Sequence, residues 1–310
     1  MIDYTIFYKS ELSVKDKWSA NESWDVFISA YNSTERVAHV FDKAKAKQKF
    51  RLIFPEYSYR AGEYPENDSF SCIANNEAEY IRKFFESAKI DPSSKICIDL
   101  TGFIRPYQMF LTTFLWMKGS KRFDALYSEP NVYREREKTS FSSGVGGQVR
   151  QVMGLEGSHS ANTSNDLLII GSGYDDELIS RVGHYKDSAK KVQILGLPSL
   201  RPDMYQENEL RALKAEEDLG ESVNYFAPAN DPFVTASVLS EIAERFDRKN
   251  KITNLYLSPL ASKAQVLGFS LFYKIEGGER STSIIYPFRP AYSRETTKGI
   301  SRIWKYVVEI

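Results

Sequence analysis

The chain has 310 residues, 42% of them hydrophobic and 26% charged, with 41 basic and 41 acidic side chains. Such a composition fits about two globular domains and argues against disorder. Zero net charge makes duplex nucleic acid an unlikely partner, because phosphate neutralisation needs a basic surplus. No apolar run approaches the ~18 residues of a membrane span, and Met1-Ile2-Asp3-Tyr4 lacks the basic-then-apolar layout of a signal peptide, so the expected compartment is the cytoplasm. The two cysteines, Cys72 and Cys97, read as free buried thiols. His39, His159 and His184 are scattered without metal-ligand spacing, so no metal and no cofactor are expected. The 19 tyrosines and 19 phenylalanines read first as core packing and second as an aromatic-lined pocket.

In chain order, residues 1–23 form an N-terminal extension with a possible edge strand at Tyr4–Lys9. A first unit, 24–157, then alternates strand and helix: strand Val26–Ser29, helix Thr34–Ala46, strand Phe50–Pro55, and a long loop from Glu56 to Ser71 of the kind that carries function. Helix Asn75–Ala88, strand Lys95–Leu100, helix Tyr107–Met117 and strand Phe123–Tyr127 follow. The glycine-rich Ser143–Gly147 reads as a connector. A second unit, 158–310, repeats the order with strand Leu167–Ile170, helix Asp175–Val182, strand Val192–Leu197, an acidic helix within Ser199–Leu219, and strand Val223–Phe226. Helix Asp231–Phe246, strand Ile252–Leu257, helix Ala264–Lys274 and strand Ser283–Tyr286 complete it.

The two halves keep matching landmarks in order. Asp25 and Asp166 are 141 residues apart, Pro55 and Pro198 143, Asn75 and Asn230 155, and Thr101 and Ser258 157; Tyr127 and Tyr286, like Tyr133 and Tyr292, are 159 apart. Arg136-Glu137 also matches Arg294-Glu295. Drift in small steps is what duplication followed by loop insertion leaves. The reading is therefore α/β: two tandem Rossmann-like units with mostly parallel sheets, related by a pseudo-two-fold, with one composite site between them.

Ligands of open α/β sheets bind beyond the carboxyl ends of the strands. In the first unit this selects Asn32, Asn75, Thr101, Gly102 and Arg105; in the second it selects Gly171, Ser172, Asn230, Asp231, Ser258, Ser262 and Lys263. Thr101-Gly102 with Arg105, and Ser258-Pro259 with Ser262-Lys263, each set a hydroxyl and a cation at a helix start, the pattern of an anion site; the same residues could equally be caps and solvated charges. Gly171-Ser172-Gly173 lacks the third glycine of a dinucleotide turn. The carboxylates Glu56, Glu77, Asp99, Glu129, Asp203, Asp231 and Glu295 could serve acid–base chemistry if two converge.

The run Ile98-Asp99-Leu100-Thr101-Gly102-Phe103-Ile104-Arg105-Pro106 resembles the strand–Thr-Gly–basic–helix element of CARF domains, and the tandem layout is similar to that of the related SAVED domains. The resemblance covers short motifs only, and Phe103 and Arg105 stand where a second glycine and a lysine are usual. It implies a sensor of a nucleotide-like anion, such as a cyclic oligonucleotide, contacted by Thr101, Gly102 and Arg105 and by Ser258 and Lys263. It also implies a separate effector protein as partner, in a bacterial antiviral setting. Trp24-Asp25-Val26-Phe27-Ile28-Ser29 resembles the first strand of TIR domains, which implies the alternative of an enzyme acting on a nucleotide or nucleoside-type substrate, cleaving NAD or a glycosidic bond.

Overall fold

A computed structural model describes residues 3–133, 142–143, 147–201 and 204–309. Asp203, Arg136, Glu137 and the 144–146 part of the expected connector lie outside the described residues. The chain forms two compact units, Phe7–Val145 with Arg289–Ile310, and Met1–Ile6 with Gly146–Phe288. Residues 146–157 thus pack with the second half of the sequence and 289–310 with the first.

The N-terminal unit runs β1 (Tyr8–Leu12), β2 (Ser23–Ala30), α1 (Glu35–Lys43), β3 (Lys45–Leu52), β4 (Ser69–Phe70), α2 (Glu77–Ala88), β5 (Ile96–Asp99), α3 (Arg105–Met117), β6 (Arg122–Glu129) and the short β7 (Val132–Tyr133) and β8 (Ser142–Ser143). The C-terminal unit holds β9 (Val149–Gln151), β10 (Leu167–Gly171), α4 (Asp176–Tyr185), β11 (Lys190–Gly196), α5 (Met204–Leu219), β12 (Ser222–Ala227), α6 (Pro232–Lys249), β13 (Leu255–Pro259), α7 (Lys263–Ile275) and β14 (Thr282–Pro287). The chain then returns to the first unit with β15 (Ala291–Tyr292), β16 (Thr297–Lys298) and β17 (Arg302–Glu309), where β15 pairs β8 and β16 pairs β7.

Both sheets have the same Rossmann-like topology. The parallel strands lie in the order β4-β3-β2-β5-β6 in one and β12-β11-β10-β13-β14 in the other, so each first strand is flanked by the second and the fourth. Each sheet is extended past its fifth strand by an antiparallel one, β17 on β6 and β9 on β14. The short central strands are buried throughout, as sheets covered on both faces require.

Equivalent side chains tie equivalent edges. Asp25 accepts the Lys95 N–H at 2.9 Å, and Asp166 accepts the Thr253 hydroxyl at 2.6 Å and the Asn254 amide at 2.8 Å. In both units this joins the amino end of the first strand to the approach of the fourth. The register refines one landmark. Ser29 lies opposite Asp99 and Ile170 opposite Ser258, so the counterpart of Ser258 is Asp99, not Thr101, and the offset is already 159 at the fourth strand.

Several expectations are corrected. The edge strand expected at Tyr4–Lys9 is a 3-10 turn, Tyr4–Ile6, followed by β1. The helix expected to Ala46 stops at Lys43, and the strand expected from Phe50 begins at Lys45. Lys-Ala-Lys-Gln-Lys has helical propensity, but pairing with β2 from Ser23↔Lys45 onward overrides it. The third strand of the first unit, invisible in sequence, is the two-residue β4. The helices after the fourth strands, α3 and α7, are buried on every side from Pro106 to Trp116 and from Ala264 to Phe272, as helices apolar all round must be. Cys97 is a buried free thiol; Cys72, also free, is only half-buried.

Candidate functional site

The carboxyl edge of the N-terminal sheet is built around the junction of β2 and β5. Asp99 ends β5 with no exposure. Its carboxylate accepts the Ser29 hydroxyl at 3.0 Å and the Thr101 N–H at 3.1 Å. Burial pushes its pKa up to about 6, against the opposing pull of these hydrogen bonds and of the Arg36 guanidinium. Thr101 is buried too, its hydroxyl accepting the Ser128 N–H at 3.1 Å. A β-carbon at Gly102 would lie 2.0 Å from the Ala30 carbonyl oxygen, so glycine is what lets this loop close on the end of β2.

Tyr57 fills the remaining crevice. It is buried, donates its hydroxyl to the Gly102 carbonyl at 3.1 Å, and has the Asn32 side chain and the Arg105 charge beside it. Asn32, Gly102 and Arg105 therefore converge on one tyrosine. Asn32 itself turns the chain into α1 by accepting the Thr34 N–H at 3.1 Å. Asn75 does not join them: it is exposed and bonds the Glu79 carboxylate at 2.8 and 2.9 Å, while Asn76 caps α2.

Outside Tyr57 lies an aromatic layer. Tyr31 meets Tyr59 at 5.0 Å and Tyr64 at 6.4 Å; Tyr57 meets Tyr59 at 6.1 Å and Tyr292 at 6.4 Å. The Arg294 guanidinium sits 4.1 Å over the Tyr59 ring and donates to the carbonyls of Tyr57 and Ser58 and to the Glu63 carboxylate. Hydroxyls fasten the layer to the loops: Tyr31 donates to the Glu63 carbonyl at 3.2 Å, and Tyr59 accepts the Ser33 N–H at 2.9 Å. Sequence reasoning marked the Glu56–Ser71 loop but missed these residues individually. The tyrosine density of the loop and the paired Arg294-Glu295 were the available signals.

In the C-terminal unit the corresponding loops pack on one another. Gly171 accepts the Leu260 N–H at 2.9 Å, and a β-carbon at Gly173 would lie 2.3 Å from the Leu260 carbonyl oxygen. Ser172 is buried and donates to Gln193 at 2.7 Å. Ser262 caps α7 in a reciprocal capping box with Gln265 and also donates to the Ala229 carbonyl. Asp231 caps α6, accepting N–H groups of Phe233 and Val234 at 3.0 and 3.1 Å, with the half-buried Asn230 just before it. Ser258 is fully buried and its hydroxyl lacks a hydrogen-bond partner among the described residues. Its counterpart Asp99 has Ser29, whereas Ser258 faces Ile170.

The carboxylates do not form an exposed pair. Glu129 is buried and accepts the Trp304 indole N–H at 2.6 Å, Glu77 is buried in the first turn of α2, and Glu56 accepts the Tyr107 hydroxyl at 2.8 Å. Glu295 is exposed and Asp231 is committed as a cap. Among the described residues no group of three His, Cys, Asp or Glu could hold a metal, and no helix is long and apolar enough to cross a membrane.

Helix starts differ systematically. The helices after the first strands open with acids, Glu35 in α1 and Asp176-Glu177 in α4. Those after the fourth strands have no acid in the first turn and begin with a half-buried cation, Arg105 in α3 and Lys263 in α7. A dinucleotide pyrophosphate normally sits on the helix after the first strand; here that position carries carboxylates in both units, with Arg36 beside Glu35 in α1. Two clefts lie at the opposite, amino edges. One of about 860 Å³ in the C-terminal unit is lined by ion pairs such as Arg280–Asp247 at 3.2 Å, and one of about 380 Å³ in the N-terminal unit lies between Pro92–Ile96 and Gly119–Asp124. Neither includes a sequence-derived candidate.

No protein-family model matches the sequence, and no curated protein matches it. Among solved structures, an N-terminal ketoreductase from a macrolactin assembly line is similar over 89% of this chain and 72% of its own, at 10% identity and a TM-score of 0.26. A ketoreductase domain from the bacillaene assembly line is similar over 86% and 69%, at 13% identity and a TM-score of 0.25. Similarity this low carries no argument about function; what is established is a Rossmann-like α/β fold, built twice.

Proposed function

We propose that this protein binds a nucleotide-like anionic ligand and acts as a sensor, the anion lying against the first turn of α3 and, in the second unit, of α7. The observation that carries the reading is the charge placement: of the helix starts compared, those after the fourth strands combine a cation with no acid, and they do so in both units. A helix start presents unpaired N–H groups equivalent to about half a positive charge, and a cation there adds to the attraction. The likeness of Ile98–Pro106 to the CARF element makes a cyclic oligonucleotide the first ligand to try. It also supports a separate effector protein as partner, in a bacterial antiviral setting.

Calorimetry with mono-, di- and cyclic oligonucleotides tests this. Arg105→Glu and Lys263→Glu should each weaken binding by about ten-fold or more, since 1.4 kcal/mol is ten-fold. Silence across the whole panel overturns the sensor reading. Turnover of NAD by the purified protein would favour an enzyme instead.

A further inference from the structure

We propose that Tyr31, Tyr59 and Tyr64, with Arg294 behind them, form a stacking platform for an aromatic base, so that the ligand is a nucleotide recognised through its base as well as its phosphate. The proposal rests on the sensor reading above and specifies what it leaves open.

Three observations lead here. First, the crevice where a Rossmann-like unit usually admits its ligand is filled by Tyr57, hydrogen-bonded to Gly102, and the Gly102 loop closes directly on Ala30. A ligand of this edge must rest on the outer layer, not between the strands. Second, that layer is aromatic and half-exposed. Tyr31, Tyr59 and Tyr64 are each only partly buried, with ring centroids 5.0 and 6.4 Å apart. Stacking on such rings is the sequence-tolerant way proteins hold a base. Third, the platform is held in place by fixed contacts, with Arg294 paired to Glu63 at 3.2 Å. Arg294 stacks on Tyr59 at 4.1 Å and ties down the backbone at Tyr57 and Ser58, and the hydroxyls of Tyr31 and Tyr59 are engaged by backbone groups of Glu63 and Ser33. Tyr57 touches this layer and also feels the Arg105 charge. A base on the rings would therefore bring its phosphate toward the start of α3.

A platform held in place before binding loses little side-chain entropy when a ligand arrives, which favours recognition over mere packing. Two tyrosines meeting edge to face could also be ordinary packing, and that alternative makes a different prediction.

Calorimetry with adenosine monophosphate and ribose 5-phosphate, which share the phosphate and sugar but not the base, decides. The expected result is an affinity ratio of roughly ten-fold in favour of the nucleotide. Tyr59→Phe should keep that ratio, and Tyr59→Leu should collapse it toward one. Tyr64→Leu, at a ring on the loop surface, provides the same reading should Tyr59→Leu fail to fold. Equal affinities in the wild-type protein, or a ratio untouched by both leucine variants, overturn the platform while leaving the anion site standing. Failure of both compounds to bind overturns the platform, whereas the anion site falls only if the whole nucleotide panel is silent.

Discussion

Asp99→Asn should stabilise the N-terminal unit above pH 6 and do little below pH 4. The carboxylate is fully buried, and its pKa lies near 6 instead of 3.8. With the folded value raised, the native state holds the proton more tightly. The stabilisation is fully present below pH ~3.8 and is lost as pH rises through ~6. Two pKa units correspond to about 3 kcal/mol, of which about 1.4 kcal/mol falls between pH 5 and pH 8. Asparagine cannot ionise and avoids that loss. Its oxygen can still accept the Thr101 N–H and its amide can donate to Ser29, so the exchange costs at most about 1 kcal/mol in hydrogen bonding. The expected net gain at pH 8 is about 2 kcal/mol. All four tryptophans, Trp18, Trp24, Trp116 and Trp304, belong to this unit. Urea unfolding followed by their fluorescence therefore reports on it directly. Other carboxylates titrate equally in both proteins and cancel in the difference. A wild-type-to-variant difference that stays constant from pH 5 to 8, or a variant less stable at pH 8, refutes the reasoning.

Gly102→Ala should lower the urea midpoint by an amount equivalent to about 3 kcal/mol or more. Its β-carbon meets a backbone oxygen at 2.0 Å, and backbone cannot rotate away as a side chain can; an unchanged midpoint would show that the Ala30–Gly102 contact is looser than described. Removing residues 302–310 should abolish cooperative unfolding of the N-terminal unit. β17 lies between β1 and β6, and its loss leaves both with unpaired edges; a truncated chain that keeps a sharp tryptophan transition would refute this.

Local patterns carried much of the fold. The parallel core strands are short apolar runs bounded by turn residues, and the helices between them show caps and 3.6-residue spacing, so most elements were legible. What escaped depends on partners far away in sequence. β17 buries Ile303, Tyr306 and Val308 out of strict alternation, and nothing near it says that it pairs with β6 some 180 residues earlier. The lysine-rich start of β3 was lost to its helical propensity, and β4 is too short to leave a pattern. For the site, hydroxyls and carboxylates near strand ends were visible, but their use was not. Ser262 and Asp231 turned out to be caps, and Thr101 a buried link to Ser128. The Tyr57 plug reaches Gly102 across 45 residues and Arg294 reaches Tyr57 across 237, which no local rule can foresee.

The charges at the helix starts remain the feature that local rules do not explain. A cation in a first helical turn opposes the helix dipole and costs roughly 0.3–1 kcal/mol, whereas an acid there gains a similar amount. Glu35 and Asp176-Glu177 follow that preference; Arg105 and Lys263 violate it, at corresponding places in two units of the same topology. Neither violation serves capping: Ser262 performs that role for α7, and α3 has no side-chain cap for Arg105 to supplement. Both placements run against the local rule at corresponding positions, and the sensor proposal reads that repetition as serving function. The same comparison is why the proposal places the anion at the helix after the fourth strand and not at the one after the first. At α1 and α4 the acids Glu35 and Asp176-Glu177 already complement the helix dipole. At α3 and α7 the helix dipole and the cation have the same sign, so the proposed anion would be attracted by both.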